Sequence, residues 1–429
     1  MTLQVIIVLL ILAFMIFALL THVFPFGVTG MICCTLLVLT KIMDMQTAFS
    51  GLSNPNTVMV AAMVALANPL GRTSLVEKLK RSMNALQGKS GFMLLAFIYL
   101  ICIGLSQLMG QMACLTIMIV FLQTLDPESN ISPSRVLFSI VPISCMWTAR
   151  IPIGMGAAFS GTINGLIQGL ISDPSQQIQI GDYALAGLLP AIVGTLFCIV
   201  FYRLIPKSEL VQQKGCDEKI VTQLSARHEL ITFSVFIIVA LGFMFKNQIG
   251  SDLSNVAPVA GILLLIITGV MTAQDVVKII TSDIIWMVAG ISVMSTAMAT
   301  TGVGDLIGKF VLRILGSNPS GNFVLLVFVI VATVMTNFMS NFGTMGVLCP
   351  IAASTALAGG MNVKAIVLAV SLASWLTAFM LPMASSAAII GYGTGNYSPQ
   401  KVLKFTLPLM ILEIITIIIS VRILYPMYG

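Results

Sequence analysis

Five residues inside one long apolar run, Ser340-Asn341-Phe342-Gly343-Thr344, bring three oxygen-bearing side chains and a glycine together. Oxygens of serine, asparagine and threonine suit a hard cation such as Na⁺, and their N–H and O–H donors suit an anion. The glycine allows a close backbone approach. A second polar interruption follows at Leu381-Pro382-Met383-Ala384-Ser385-Ser386-Ala387, leading into Gly391-Tyr392-Gly393-Thr394-Gly395-Asn396. Pro382 removes a backbone N–H and forces a kink, and two hydroxyls follow it directly. A half-helix that starts at such a break turns its positive end toward whatever the break binds. The substrate candidates here are Ser340, Asn341, Thr344, Ser385 and Ser386, and the cation candidates are Ser340, Asn341, Gly343, Ala384 and Ser385. The competing reading of both stretches is a small-residue contact between packed helices.

Two earlier stretches occupy the same places in the first half of the chain but carry different chemistry. The first reads Gly110-Gln111-Met112-Ala113-Cys114, with Gly110 standing where Ser340 would and Cys114 where Thr344 would. The second reads Thr148-Ala149-Arg150-Ile151-Pro152-Ile153-Gly154-Met155-Gly156. Oxygen ligands have gone and a guanidinium has come in, so Gln111 and Arg150 join the substrate candidates. A charge at the centre of a membrane helix costs at least about 2.5–3.5 kcal/mol, so Arg150 should face a cavity or a partner. The alternative is an arginine that reaches the membrane interface. Glu413 is the other isolated deep charge. It is either a protonated structural group or a proton carrier, and the sequence leaves both open. Neither tip nor break holds an Asp or Glu, which argues against a cation/proton antiporter. No nucleophile stands with a base, the eight Cys show no metal spacing, and His22 and His228 lie at span ends. An enzyme is not expected, nor any cofactor beyond Na⁺ as a coupling ion.

These residues need elements to hold them, and composition says which. Of 429 residues, 58% are hydrophobic and only 8% charged. A soluble domain carries about 25% charged residues, so the solvent here is lipid. The apolar runs are continuous rather than alternating over about ten residues, which selects helices over barrel strands. The chain is expected to be an all-α integral membrane protein in the cell (inner) membrane. Spans are expected at 3–20, 27–43, 56–70, 133–171, 184–204, 229–249, 257–272, 283–299, 364–392 and 402–425. Leu3–Leu20 lacks a basic leader and reads as a retained span. Blocks 91–125 and 321–358 are about 52 Å of helix each, too long for one crossing and short for two, and each has a polar middle. Both read as re-entrant hairpins. Basic residues in 72–90 and 205–228 place those loops in the cytoplasm, with 172–182 and both termini outside. The net charge of +6 reports this orientation and implies no nucleic acid.

The interruptions recur. Met59-Val60-Ala61 aligns with Met287-Val288-Ala289, Ser90-Gly91 with Ser320-Gly321, Gly110-Gln111 with Ser340-Asn341 and Pro152 with Pro382. The shift stays almost constant along the whole series. Residues 1–205 then form one repeat, 206–228 a cytoplasmic linker and 229–429 a second repeat. Each repeat holds five spans and one hairpin. Five is odd, so the second copy enters from the opposite side, giving two inverted-topology repeats with broken helices at the midplane.

At Ser340-Asn341 with Thr344, Leu381-Pro382, Gly393-Thr394-Gly395 and Phe405-Thr406-Leu407-Pro408-Leu409, the chain resembles the divalent anion/sodium symporter family of the ion-transporter superfamily. The resemblance covers nearly the whole chain. It implies a homodimer in which hairpins and broken helices move as an elevator past a fixed scaffold. It also implies di- or tricarboxylate or sulfate substrates, commonly driven by Na⁺. The first tip departs from the family's Ser-Asn-Thr motif, and Arg150 would then replace one Na⁺ or contact the substrate carboxylate. The expected function is secondary active transport of small organic anions, Na⁺-coupled or by exchange. The alternatives are an oxyanion permease for sulfate or an arsenite-like species, or a cation/proton antiporter of the same superfamily.

Overall fold

The computed structural model describes residues 3–21, 23–74, 91–108, 111–123, 131–152, 155–171, 173–208, 224–244, 251–316 and 319–428. Among them every regular element is helical. In lipid an isolated strand would leave its N–H and C=O groups unpaired, whereas a helix pairs them within itself.

Helices α1 (Leu3–Thr21), α2 (Phe26–Leu39) and the single turn α3 (Met45–Ala48) lead to α4 (Pro55–Ala67). The first hairpin is α5 (Gly91–Leu108) and α6 (Gln111–Gln123). The span expected over 133–171 is two helices, α7 (Pro133–Trp147) and α8 (Met155–Ile167), and α9 (Asp182–Phe201) follows. The second half runs α10 (Ala226–Met244), α11 (Ser251–Ile267), α12 (Ala273–Ile280), α13 (Asp283–Thr301) and α14 (Val303–Leu315). The second hairpin is α15 (Gly321–Phe338) and α16 (Asn341–Ala358). Then come the broken pair α17 (Val363–Leu376) and α18 (Ser386–Thr394), and the long α19 (Pro399–Leu424). The starts of α4, α5, α6 and α7 recur at α13, α15, α16 and α17, at the same near-constant shift as the sequence matches.

Five helical stretches among the described residues are long and apolar enough to cross a membrane: 182–204, 273–301, 321–338, 341–358 and 399–424. The expected spans at 3–20, 27–43, 56–70, 257–272 and 364–392 coincide with shorter apolar helices of 10–17 residues. Each arm of the second hairpin has the length of a crossing. The Gly321 N–H donates to the Tyr428 hydroxyl at 3.0 Å, and the Asn362 N–H to the Met427 carbonyl at 2.8 Å. Helices α15 and α17 therefore both start beside the end of α19. Eighteen residues of α15 rise about 27 Å and the twenty-six of α19 about 39 Å.

Helix α7 is buried at every residue from Val136 to Met146, and α17 everywhere except Lys364. The outer helices show apolar side chains instead: Leu185, Leu188, Ile192 and Leu196 on α9, and Ile411, Ile415, Ile419 and Ile423 on α19. Their helical spacing makes a stripe that fits lipid. Helix α2 packs on α13 at closest approach through Gly30 and Gly290, where an added Cβ on Gly30 would stand 3.1 Å from Gly290 Cα. Asp283 fixes the same contact by accepting from the N–H groups of Phe26 at 3.0 Å and Gly27 at 2.8 Å, a carboxylate on a positive helix end.

Two helices were not expected. Both α12 and α14 are amphipathic, and a search for continuous apolar runs passes over them. The start of α12 was nonetheless written in the chain, because Thr272 and Asp275 form a capping box.

Candidate functional site

Each break is held by one amide side chain from the hairpin arm beside it. In the second half Asn337 Oδ1 accepts from the Met380 N–H at 2.9 Å, and its Nδ2 donates to the Thr377 carbonyl at 3.0 Å and the Thr333 carbonyl at 2.8 Å. In the first half Gln107 Oε1 accepts from the N–H groups of Arg150 and Ile151, both at 3.0 Å. Its Nε2 donates to the Trp147 carbonyl and, at 3.5 Å, to that of Ile103. The shift that carries Gln111 onto Asn341 also carries Gln107 onto Asn337, Trp147 onto Thr377 and Arg150 onto Met380. An amide presents one acceptor and two donors, so it can replace the partners that a broken helix loses. Neither residue was a candidate from sequence. Their place in the repeat was the available signal.

The break backbones are not helical. Thr148 turns away at ψ 130°, and Ala149 sits at φ 62°, in the left-handed region that disfavours a residue with a Cβ. The second break runs from Thr377 to Ser385, whose hydroxyl caps α18 by accepting from the Ala388 N–H at 3.1 Å. At the second tip Ser340 caps α16 in the same way, accepting from the Gly343 N–H at 3.0 Å. The Thr344 hydroxyl donates to the Ser340 carbonyl at 3.2 Å. Asn341 Oδ1 accepts from Thr336 at 3.2 Å, and Thr336 also serves the Ser374 carbonyl at 2.6 Å. Two serine-capped helix starts thus lie within the protein, their positive ends free of any acidic side chain in the first turn.

The halves interlock crosswise. Helix α18, after the second break, packs on α6 of the first hairpin, and α16 of the second hairpin packs on α8 after the first break. In the first pairing the Cys145 thiol lies 3.6 Å from the Ser385 hydroxyl and also meets the Gln111 side chain. Gln111 Nε2 is buried there without a hydrogen-bond partner. In the second pairing Phe342, from the tip, meets Phe159 of α8 at a ring separation of 6.0 Å and Trp375 at 5.2 Å. Phe159 in turn lies 5.0 Å from the Tyr183 ring.

Arg150 lies at this aromatic cluster. It is only 6% exposed, with its guanidinium carbon 4.3 Å from the Tyr183 ring centroid. Its Nη1 donates to the Tyr183 carbonyl at 2.9 Å and its Nε to the Thr148 carbonyl at 3.3 Å. Nη2 has no partner. Glu413 is 0% exposed and both its carboxyl oxygens lack hydrogen bonds.

Gln111 and Ser385, from the two halves, therefore both lie against Cys145. Among the described residues no hydrogen bond joins Ser340, Asn341 or Thr344 to Gln111, Arg150, Ser385 or Ser386. Ser386 opens α18 beside Ser385, and Ala384 is buried next to it. Gly343 is packed against the Met339 and Ser340 side chains. Gly110, Ile153 and Gly154 lie outside the described residues. Two grooves are elsewhere: about 550 Å³ between α2 and α13, and about 350 Å³ beside Ser320 and Tyr428. Neither is lined by a residue of a tip or a break.

The sodium:sulfate symporter transmembrane region family matches residues 1–428. An uncharacterized transporter of Haemophilus influenzae is 22% identical over 393 residues, covering 88% of this chain and 82% of that protein. One from Synechocystis sp. is 27% identical over 166 residues; the match spans 39% of this chain and only 27% of that protein's length. Two solved structures share the fold. The Alcanivorax borkumensis YdaH transporter has TM-score 0.62 at 14% identity, covering 90% of this chain and 87% of its own. Neisseria gonorrhoeae MtrF has TM-score 0.59 at 13% identity, covering 92% and 85%. With one family spanning the chain and transporters as its structural neighbours, this multi-pass membrane protein belongs to the sodium:sulfate symporter family and is a secondary transporter, not an enzyme.

Proposed function

We propose that this transporter carries small organic dianions, of the di- or tricarboxylate class, across the cell membrane, with Arg150 as the fixed positive charge that meets the anion. The observation that carries the reading is a buried guanidinium at a helix break, with one nitrogen free and no carboxylate bonded to it. A buried cation without a counter-ion is costly, and an anionic substrate would offset that cost. The second tip and break supply neutral oxygens at Ser340, Asn341 and Ser385, suited to a Na⁺ that travels with the anion. The first tip lacks such oxygens, so one cation of the usual pair is replaced by Arg150, and transport runs with fewer Na⁺ or by exchange.

Helix α7 begins beside Ser208, beyond the C-terminal end of α9, where the Ser208 N–H donates to Ser134 at 3.1 Å. Helix α17 begins at the other end of α9, where Lys364 pairs with Asp182 at 3.0 Å. Starts at opposite ends of one helix support inverted repeats, and inverted repeats support alternating access by an elevator movement in a homodimer.

The test is uptake of labelled succinate, citrate and sulfate into proteoliposomes with Na⁺ inside, outside or absent. Dicarboxylate or citrate uptake is expected to exceed sulfate uptake, and Arg150→Ala is expected to lower it at least tenfold. Sulfate alone being carried would favour the substrate that the family's description names. Unchanged anion affinity and Na⁺ dependence in Arg150→Ala would remove Arg150 from the site.

A further inference from the structure

Arg150 and Glu413 rest on one face of α9. A Cβ added to Gly187 would overlap the Arg150 guanidinium, and one added to Gly194 would overlap Glu413 Oε1. Seven residues are nearly two full turns, so the two glycines share a face and lie about 10 Å apart along the axis. Between them Pro190 deprives the Ala186 carbonyl of its helical donor, and the Ser420 hydroxyl fills that place at 2.7 Å. Both charged heads are thus seated where only a glycine leaves room, and both keep unpaired atoms: Nη2 on Arg150, Oε1 and Oε2 on Glu413.

A carboxyl kept for structure is hydrogen-bonded when buried. Glu413 is not, although hydroxyls stand near it on its own helix. Thr416 donates to the Leu412 and Glu413 carbonyls, and Ser420 is committed to Ala186. An apolar side chain of the same volume would pack there at lower cost. What an apolar side chain cannot do is take up and release a proton. Among the described residues the cation on the same face of α9 is Arg150, and the Cys198 thiol, one turn beyond Gly194, is the other titratable group beside Glu413. The remaining charges on neighbouring elements stand at helix ends: Lys364 on α17, paired with Asp182 and near Tyr425; Arg135 at the start of α7; and Tyr202 and Arg203 after α9. Helix α15 carries none.

We propose that Glu413 is a proton-binding site coupled through the Gly187–Gly194 face of α9 to Arg150, so that one anion and one proton are carried together. The proposal rests on Arg150 meeting the anion. An anion bound to the guanidinium cancels a positive charge about two turns away along α9, and a proton on Glu413 Oε1 or Oε2 is then held more tightly. Anion and proton each favour the other's binding, which is what symport requires. Unit charges about 10 Å apart at an effective dielectric of about 20 change an equilibrium roughly tenfold.

The experiment has two readouts on the same protein. Infrared difference spectra of the protein in nanodiscs should show a carboxyl C=O band that titrates with pH, is absent from Glu413→Gln, and gains intensity when succinate or sulfate is added. In proteoliposomes without Na⁺, labelled succinate uptake should acidify a lumenal pH dye. Glu413→Gln should acidify nothing with whatever anion it still moves, and its size-exclusion profile reports its folding. A band that titrates but ignores both anions overturns the coupling. Anion uptake without proton movement in the wild type overturns the inference and leaves the anion reading standing. If no anion moves with Na⁺ present or absent, the anion reading fails, and absence of a Glu413-dependent band then decides against the proton site on its own.

Discussion

Gln107 and Asn337 do for the breaks what backbone carbonyls and amides do inside a helix. Replacing Asn337 by leucine keeps the volume and removes both functions, leaving the Met380 N–H and Thr377 carbonyl without these partners. Each unsatisfied buried group costs about 1–3 kcal/mol, so Asn337→Leu should lower stability by about 2–6 kcal/mol. Gln107→Leu should act alike, because it frees the Arg150 and Ile151 N–H groups. Thermal unfolding in detergent checks both. A midpoint unchanged from wild type would mean that the breaks hold themselves. These amides show where residue-level reading stops. The tips at Gln111 and Ser340 stand out because polar residues interrupt an apolar run, whereas Gln107 and Asn337 lie a few positions earlier and read as helix. Arg150 was legible as a deep charge, but its seat on the Tyr183 ring depends on α9, a separate helix further along the chain. The meeting of Gln111 with Ser385 through Cys145 joins segments from opposite halves of the chain, and no local pattern announces it.

At the scale of elements, glycines divide by what faces them. Gly290 lies so close to Gly30 that a side chain there must push α2 off α13. Overpacking a tight contact costs about 1–3 kcal/mol, and backbone on both sides leaves little room to yield, so Gly290→Val should reach about 3 kcal/mol or prevent assembly. Gly104 sits in α5 with nothing within 4 Å of an added Cβ. There Gly104→Ala should raise stability by about 0.5–1 kcal/mol through helix propensity alone. Unfolding midpoints of the pair measure the contrast, and equal shifts would deny that α2 and α13 meet at these glycines. The long apolar helices were legible because lipid forces continuous hydrophobic runs. The amphipathic α12 and α14 were not, since only one face of each is apolar and a span search averages that away.

For the whole molecule, the two halves share an element order and exchange partners, α6 with α18 and α16 with α8. If hairpins and broken helices move past a fixed α9 and α19, contacts between these groups must open during each cycle. The Lys364–Asp182 pair is such a contact: it joins α17 to α9, and Tyr425 of α19 supports it by donating to Asp182 at 2.9 Å. Both side chains are only 15% exposed, so desolvation offsets most of their attraction and the pair's net contribution is small. Cysteines placed at both positions, with Cys216 replaced by serine, can be tied by a short bifunctional thiol reagent. The described native thiols are all buried and should not compete. Transport of succinate is expected to fall to background when the link is made and to return when a reducible link is cut. The unlinked pair of cysteines should transport normally, because both charges are removed together and neither is left buried alone. Full transport with the link intact would mean that α17 and α9 travel together, and alternating access would then have to come from motion within the hairpins.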